Sequence, residues 1–198
     1  MKKRQFFGAL AAASALPVLE SAQAAPVKTS GPVLLTVTGP ISKPNRGPLD
    51  PGGFDQMLVK HKVSFTKAYV FDFAMLAALP AITIKPTLEY DSKPHTLKGP
   101  LLVEVLKAAG ATLTENSTIV LRAVDGYAAS VTVAQARAQR YIIATHLEGA
   151  PIALGGLGPL WAVYDADKVP EMAKKPVAER FGSCPWGLYH VEVQAVVV

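Results

Sequence analysis

Few side chains in this sequence combine a type and a spacing that do chemistry. Cys184 is the only cysteine, so the chain can close no internal disulfide on its own. Its neighbours Gly182-Ser183 and Pro185-Trp186 read as a turn entering the last strand, which makes Cys184 a small, semi-buried residue rather than a reactive thiol. His61, His95, His146 and His190 show no i, i+4 pair and no H-E-x-x-H run, and so announce no metal site. There is no G-x-S-x-G elbow, which removes support for a hydrolase of that kind. Gly155, Gly156 and Gly158 form a loop that either presents backbone N–H groups to an anion or makes a tight packing turn. Asp125-Gly126 makes a turn just ahead of Tyr127.

The elements that must position these residues follow from the apolar pattern. Val33–Thr38 is β-branched and ends at Gly39-Pro40, a strand followed by a turn. Residues 41–53 are rich in proline and glycine and read as a loop, with a short element after it near 54–63. Thr66–Leu79 has apolar residues along one helical face and stops at Pro80. A strand follows at 82–85. Leu101–Ala109, opened by Pro100 and closed by Gly110, is the best helix in the sequence. Strands are expected at 118–123, 129–133, 140–146, 162–164 and 188–197, with a short helix at 135–139. Many short strands around a few helices, without regular βαβ alternation, predict an α+β domain.

The first residues read differently. Lys2, Lys3 and Arg4 precede an apolar run, Phe6–Leu19, and Ala22-Gln23-Ala24 supplies a small-x-small cleavage pattern. Residues 1–24 are therefore expected to be a signal peptide and Ala25 the mature N-terminus, giving a periplasmic or secreted product with its domain at 33–198. Loss of Lys2, Lys3, Arg4 and Glu20 would lower the formal net charge from +5 to +3. The remaining lysines are scattered rather than striped, so nucleic acid is not an expected partner. No other apolar run is long enough to predict a transmembrane span.

Taken in order, the Tyr127-Ala128-Ala129-Ser130-Val131 run, Gly149-Ala150-Pro151-Ile152, Gly158-Pro159-Leu160 and the closing Trp186 resemble the molybdopterin-binding domain of the sulfite-oxidase-type oxidoreductases. The resemblance implies a single-domain fold of mixed sheets with a few short helices, and a molybdopterin-type cofactor. It also implies that Thr87, Tyr127, Gly156, Gly158 and Trp161 line the cofactor cleft, with the tyrosine hydroxyl facing the pocket.

The same resemblance marks departures. The family ligates molybdenum through a cysteine thiolate upstream of a G-x-x-L turn. Here that turn is Gly99-Pro100-Leu101-Leu102, and counting back lands near Thr87, whose hard hydroxyl is a poor substitute for a soft thiolate. In the phosphate-holding run, Gly156-Leu157-Gly158-Pro159-Leu160-Trp161, glycine stands for the family's histidine and tryptophan for its arginine. No metal ligand or catalytic residue is assigned.

Two functions remain open on the sequence. One is a molybdopterin-dependent oxidoreductase, for which Lys3-Arg4-Gln5-Phe6-Phe7 resembles a twin-arginine export signal with lysine for the first arginine; the alternative reading of that run is an ordinary signal for export of the unfolded chain. The other is a non-catalytic protein binding a small molecule or a protein partner on the same scaffold.

Overall fold

The structure is a computed structural model and describes residues 29–195. The expected signal peptide lies outside the described residues. Three sheets carry the fold. The largest is five-stranded, in the order β2 (Tyr69–Asp72), β1 (Val33–Thr38), β11 (Leu188–Gln194), β5 (Thr118–Ala123) and β6 (Ala128–Thr132). The β1–β11 pair is parallel and its other pairs are antiparallel.

A second, antiparallel sheet runs β3 (Ala81–Ile84), β4 (Leu97–Pro100), β8 (His146–Leu147) and β9 (Ala150–Pro151). The third pairs β7 (Ile142–Ala144) with β10 (Trp161–Val163). The helices are short: α1 (Gln56–Lys60), α2 (Phe73–Ala77), α3 (Leu102–Ala108), α4 (Val133–Ala138) and α5 (Pro170–Ala173).

Alternation along the strands builds the core. Leu35 and Val37 of β1, Ile119 and Leu121 of β5, and Val191 and Val193 of β11 are buried with Leu102, Val105 and Leu106 of α3 in one cluster. The intervening residues Thr36, Thr38, His190 and Arg122 carry polar groups. A second, smaller cluster of Leu58, Val63 and Tyr189, with Leu49 and Phe65 packed on it, draws on the 49–65 segment. On β11 a register shift between Leu188 and His190 frees Tyr189 to meet His61, at 2.7 Å from its Oη to Nδ1.

The strand at 118–123 and the helix opened by Pro100 and closed by Gly110 stand where the pattern put them. The helix expected over 66–79 does not form as one piece. Tyr69–Asp72 is strand, because Val70 and Phe71 pair with Thr36 and Leu35 and bury against the core. Only 73–77 is helical. Asp72 makes the switch: its Oδ1 accepts the Met75 N–H at 2.8 Å as an N-cap, and its Oδ2 takes the Ser30 N–H at 2.8 Å.

Strand β4 was not expected from Leu97-Lys98-Gly99-Pro100. It forms between β3 and β8, and a Cβ on Gly99 would fall on the Ile143 carbonyl oxygen of β7. Only glycine allows that approach.

Candidate functional site

The turn from β5 to β6 ends with Asp125 Oδ1 accepting the Tyr127 N–H at 2.9 Å. This local Asx turn fixes the tyrosine at the start of β6. Its hydroxyl donates to the Gly182 carbonyl, across to the segment that precedes β11. Between these two pieces of chain lies a cleft of about 130 Å³, walled by Glu89, Asp125, Tyr127, Phe181, Cys184 and Trp186. Tyr127 is 49% and Trp186 39% exposed, so both rings offer surface to a ligand.

Trp161 reaches the same 182–186 turn from the core. It is 1% exposed and packs beside Phe181, and its Nε1–H donates to the Cys184 carbonyl at 2.9 Å. The expected cofactor-lining role for Trp161 therefore gives way to a packing role: its indole has no face open to a ligand.

The glycines of the neighbouring loop are also committed. The N–H groups of Gly156 and Gly158 both point at the Ala153 carbonyl, each at 3.2 Å. They close a turn rather than face an anion. A Cβ on Gly158 would strike the Ile152 carbonyl, so that position is glycine for close packing.

Thr87 stands apart from the cleft lining. It bridges Pro94, and its N–H donates to Asp167 Oδ2 at 2.7 Å. Asp167 Oδ1 in turn accepts from Arg180 Nη1 at 2.6 Å, which clamps the 85–90 segment to the chain before Phe181. Glu89, two residues beyond Thr87, is the one from this segment that lines the cleft. Of the sequence-derived set, Tyr127 alone contributes to this wall, and Thr87, Gly156, Gly158 and Trp161 support the structure around it.

Sequence reasoning missed Glu89 and Phe181, and read Asp125 only as a turn residue. The signals it had were Trp186 before the last strand and the Cys184 turn.

Cys184 is 4% exposed, and burial pushes its thiol up to about 12. Its Sγ lies 3.9 Å from the Tyr141 hydroxyl, which itself meets Ser183 Oγ at 2.6 Å. Burial also raises the Tyr141 phenol. The floor beneath the cleft is thus a neutral, hydrogen-bonded group of hydroxyls and a protonated thiol.

A molybdopterin-type cofactor asks for a soft thiolate on its metal and cations on its phosphate. The thiol here is held protonated. The cleft lining carries the carboxylates of Glu89 and Asp125 and no lysine or arginine. Among the described residues no group of three or more His, Cys, Asp or Glu side chains converges as a metal site. The residues present do not fit that cofactor.

No family model matches the chain, and no curated protein matches it. Solved structures do match in fold. One is the crystal structure of the sulfane dehydrogenase SoxCD from Paracoccus pantotrophus, at a TM-score of 0.51 and 12% sequence identity. The match covers 81% of this chain and 37% of that one, so this chain corresponds to little more than a third of its neighbour. At such identity the likeness concerns fold and not activity. This chain is a single α+β domain, and it shares that fold, of the sulfite-oxidase type, with a part of this enzyme.

Proposed function

We propose that this protein is an exported, non-redox binding protein that uses a sulfite-oxidase-type scaffold to hold a small organic cation in the Tyr127 cleft. One observation carries the reading: the cleft joins two carboxylates, Glu89 and Asp125, to the exposed rings of Tyr127 and Trp186, with no cationic side chain in its lining. Carboxylates attract an ammonium group by charge, and aromatic faces attract it through the ring quadrupole, by about 0.5–2 kcal/mol per ring. The cleft's volume suits a head group rather than a pterin. Export is supported by the order of the basic, apolar and small residues in 1–24.

Protein purified from the exported fraction tests all parts. Its intact mass should lack residues 1–24. Titration with choline should quench the Trp186 emission saturably, with acetate as the anionic control, against a constant background from buried Trp161. Glu89→Gln should weaken the choline response about tenfold, a change of roughly 1.4 kcal/mol. An equal response in Glu89→Gln and wild type, or none at all, would defeat the ligand assignment. Stoichiometric molybdenum with a fluorescent pterin in the same preparation would defeat the non-redox assignment and restore the oxidoreductase that the SoxCD likeness favours.

A further inference from the structure

A second cavity shares no lining residue with the Tyr127 cleft. It opens between β3, the C-terminal end of α4 and the turn 165–169, and encloses about 230 Å³. Ile82, Ile84 and Val169 give it an apolar wall, and Asp165, Lys168 and Arg140 supply charge.

Two of these charged groups are placed in ways that packing does not explain. The Asp165 side chain is only 9% exposed. Its Oδ1 is buried with no hydrogen-bond partner among the described residues, a costly condition for a carboxylate. Its Oδ2 is held loosely, by the Lys85 N–H at 3.4 Å and by Lys168 Nζ at 3.2 Å, and the lysine side chain is otherwise largely in solvent.

Arg140 follows the last turn of α4 with φ 54°, the left-handed position that most helices give to glycine. The backbone there makes the usual closing bonds, Arg140 N–H to Arg137 O at 3.1 Å and Tyr141 N–H to Ala136 O at 3.0 Å. Its guanidinium makes no ion pair or hydrogen bond among the described residues. Arg140, exposed and left-handed in its backbone, thus lines a cavity whose buried carboxylate is half satisfied.

The geometry points to a binding site for a small zwitterion, an α-amino acid with an aliphatic side chain. Its ammonium group pairs with Asp165 Oδ2, the oxygen that Lys168 now holds. Its carboxylate meets the planar fork of Arg140, which suits two parallel hydrogen bonds. Its side chain lies against Ile82, Ile84 and Val169. Lys168 yields its pairing with Asp165 to the ligand and adds positive charge beside the ligand's carboxylate.

Calorimetric titration of the full exported protein with L-leucine, leucinamide and 4-methylpentanoate separates the parts of this assignment. Leucinamide lacks the anionic end and 4-methylpentanoate the cationic end. Leucine should bind about tenfold or more tighter than either. Arg140→Gly should remove that advantage over leucinamide while raising the thermal midpoint, because glycine relieves the left-handed backbone. Loss of binding in this variant therefore cannot be put down to misfolding. Asp165→Asn should remove the advantage over 4-methylpentanoate. Equal affinities for the three compounds, no heat from leucine at millimolar concentration, or unchanged leucine binding in Arg140→Gly would each overturn the site.

Discussion

At the scale of single residues, the two tryptophans divide the work around one turn. Trp186 presents a ring to solvent and lines the cleft, whereas Trp161 fills the core beneath it and ties down the Cys184 carbonyl. Removing the buried ring leaves a void and an unpaired acceptor. Trp161→Ala should lower stability by about 3–5 kcal/mol, read as a shift of the urea midpoint. Trp186→Ala should leave that midpoint nearly unmoved. Equal losses in the two variants would show that this division is wrong. The family resemblance put Trp161 in the cleft, and only the path of the chain shows that Trp186 lines it instead. Trp161 lies on a strand whose every residue is buried, and Trp186 on the turn that strand packs against.

At the scale of elements, Asp72 is where a strand becomes a helix. One carboxylate oxygen caps α2 and the other gathers the Ser30 N–H and hydroxyl and the Gly31 N–H, tying the chain ahead of β1 to the end of β2. The Met75 N–H, foremost among these donors, holds the carboxyl below its usual range. Asp72→Ala should cost about 2 kcal/mol by loss of the cap and its neighbouring bonds, measured by urea unfolding with an unchanged m-value. A loss no larger than that of an exposed control such as Asp91→Ala would refute the role.

This junction also shows what pattern reading reaches. The strand at 118–123 and the helix at 102–108 were legible because period, capping and breakers agreed. Residues 66–79 have a helical stripe, yet pairing with β1 outweighs it over 69–72. β4 was hidden because its need for glycine arises from Ile143, far along the chain. The site was legible in the same partial way. Tyr127 stood out through its turn and strand, while Glu89 carries no local pattern and joins the cleft only through the Thr87–Asp167–Arg180 clamp.

At the scale of the whole molecule, the five-stranded sheet encloses a histidine. His190 is 0% exposed on β11, with its Nε2 at 3.0 Å from Thr38 Oγ1 on β1 and its Nδ1 at 3.2 Å from Arg122 Nη1 on β5. Arg122 is itself paired with Glu192 at 2.8 Å. Burial first, and then the charge of Arg122, hold the imidazole down to about 3 from its ordinary 6.5. The ring is neutral in the fold, so Nδ1 accepts from the arginine and Nε2–H donates to the threonine.

Below pH 6.5 the unfolded chain takes up a proton that the native state refuses until about 3. Stability therefore falls as pH drops through that window, by an amount on the order of 4 kcal/mol. Unfolding free energy measured from pH 7 to pH 3 should show this slope in the wild type and a shallower one in His190→Gln. Parallel profiles would show that another group sets the acid sensitivity.

The strand that bears His190 has one more consequence. β11 sits in the middle of the sheet, between β1 and β5, yet comes from the last of the described residues. As the chain is made, the place between its first strand and its fifth has to stay open until residues 188–194 have emerged. Neither β1 nor β5 can complete its hydrogen bonding before then, and the sheet cannot close around a partial chain. Until those residues are made, such a nascent chain keeps the facing edges of β1 and β5 exposed, and exposed strand edges are prone to pair with other chains.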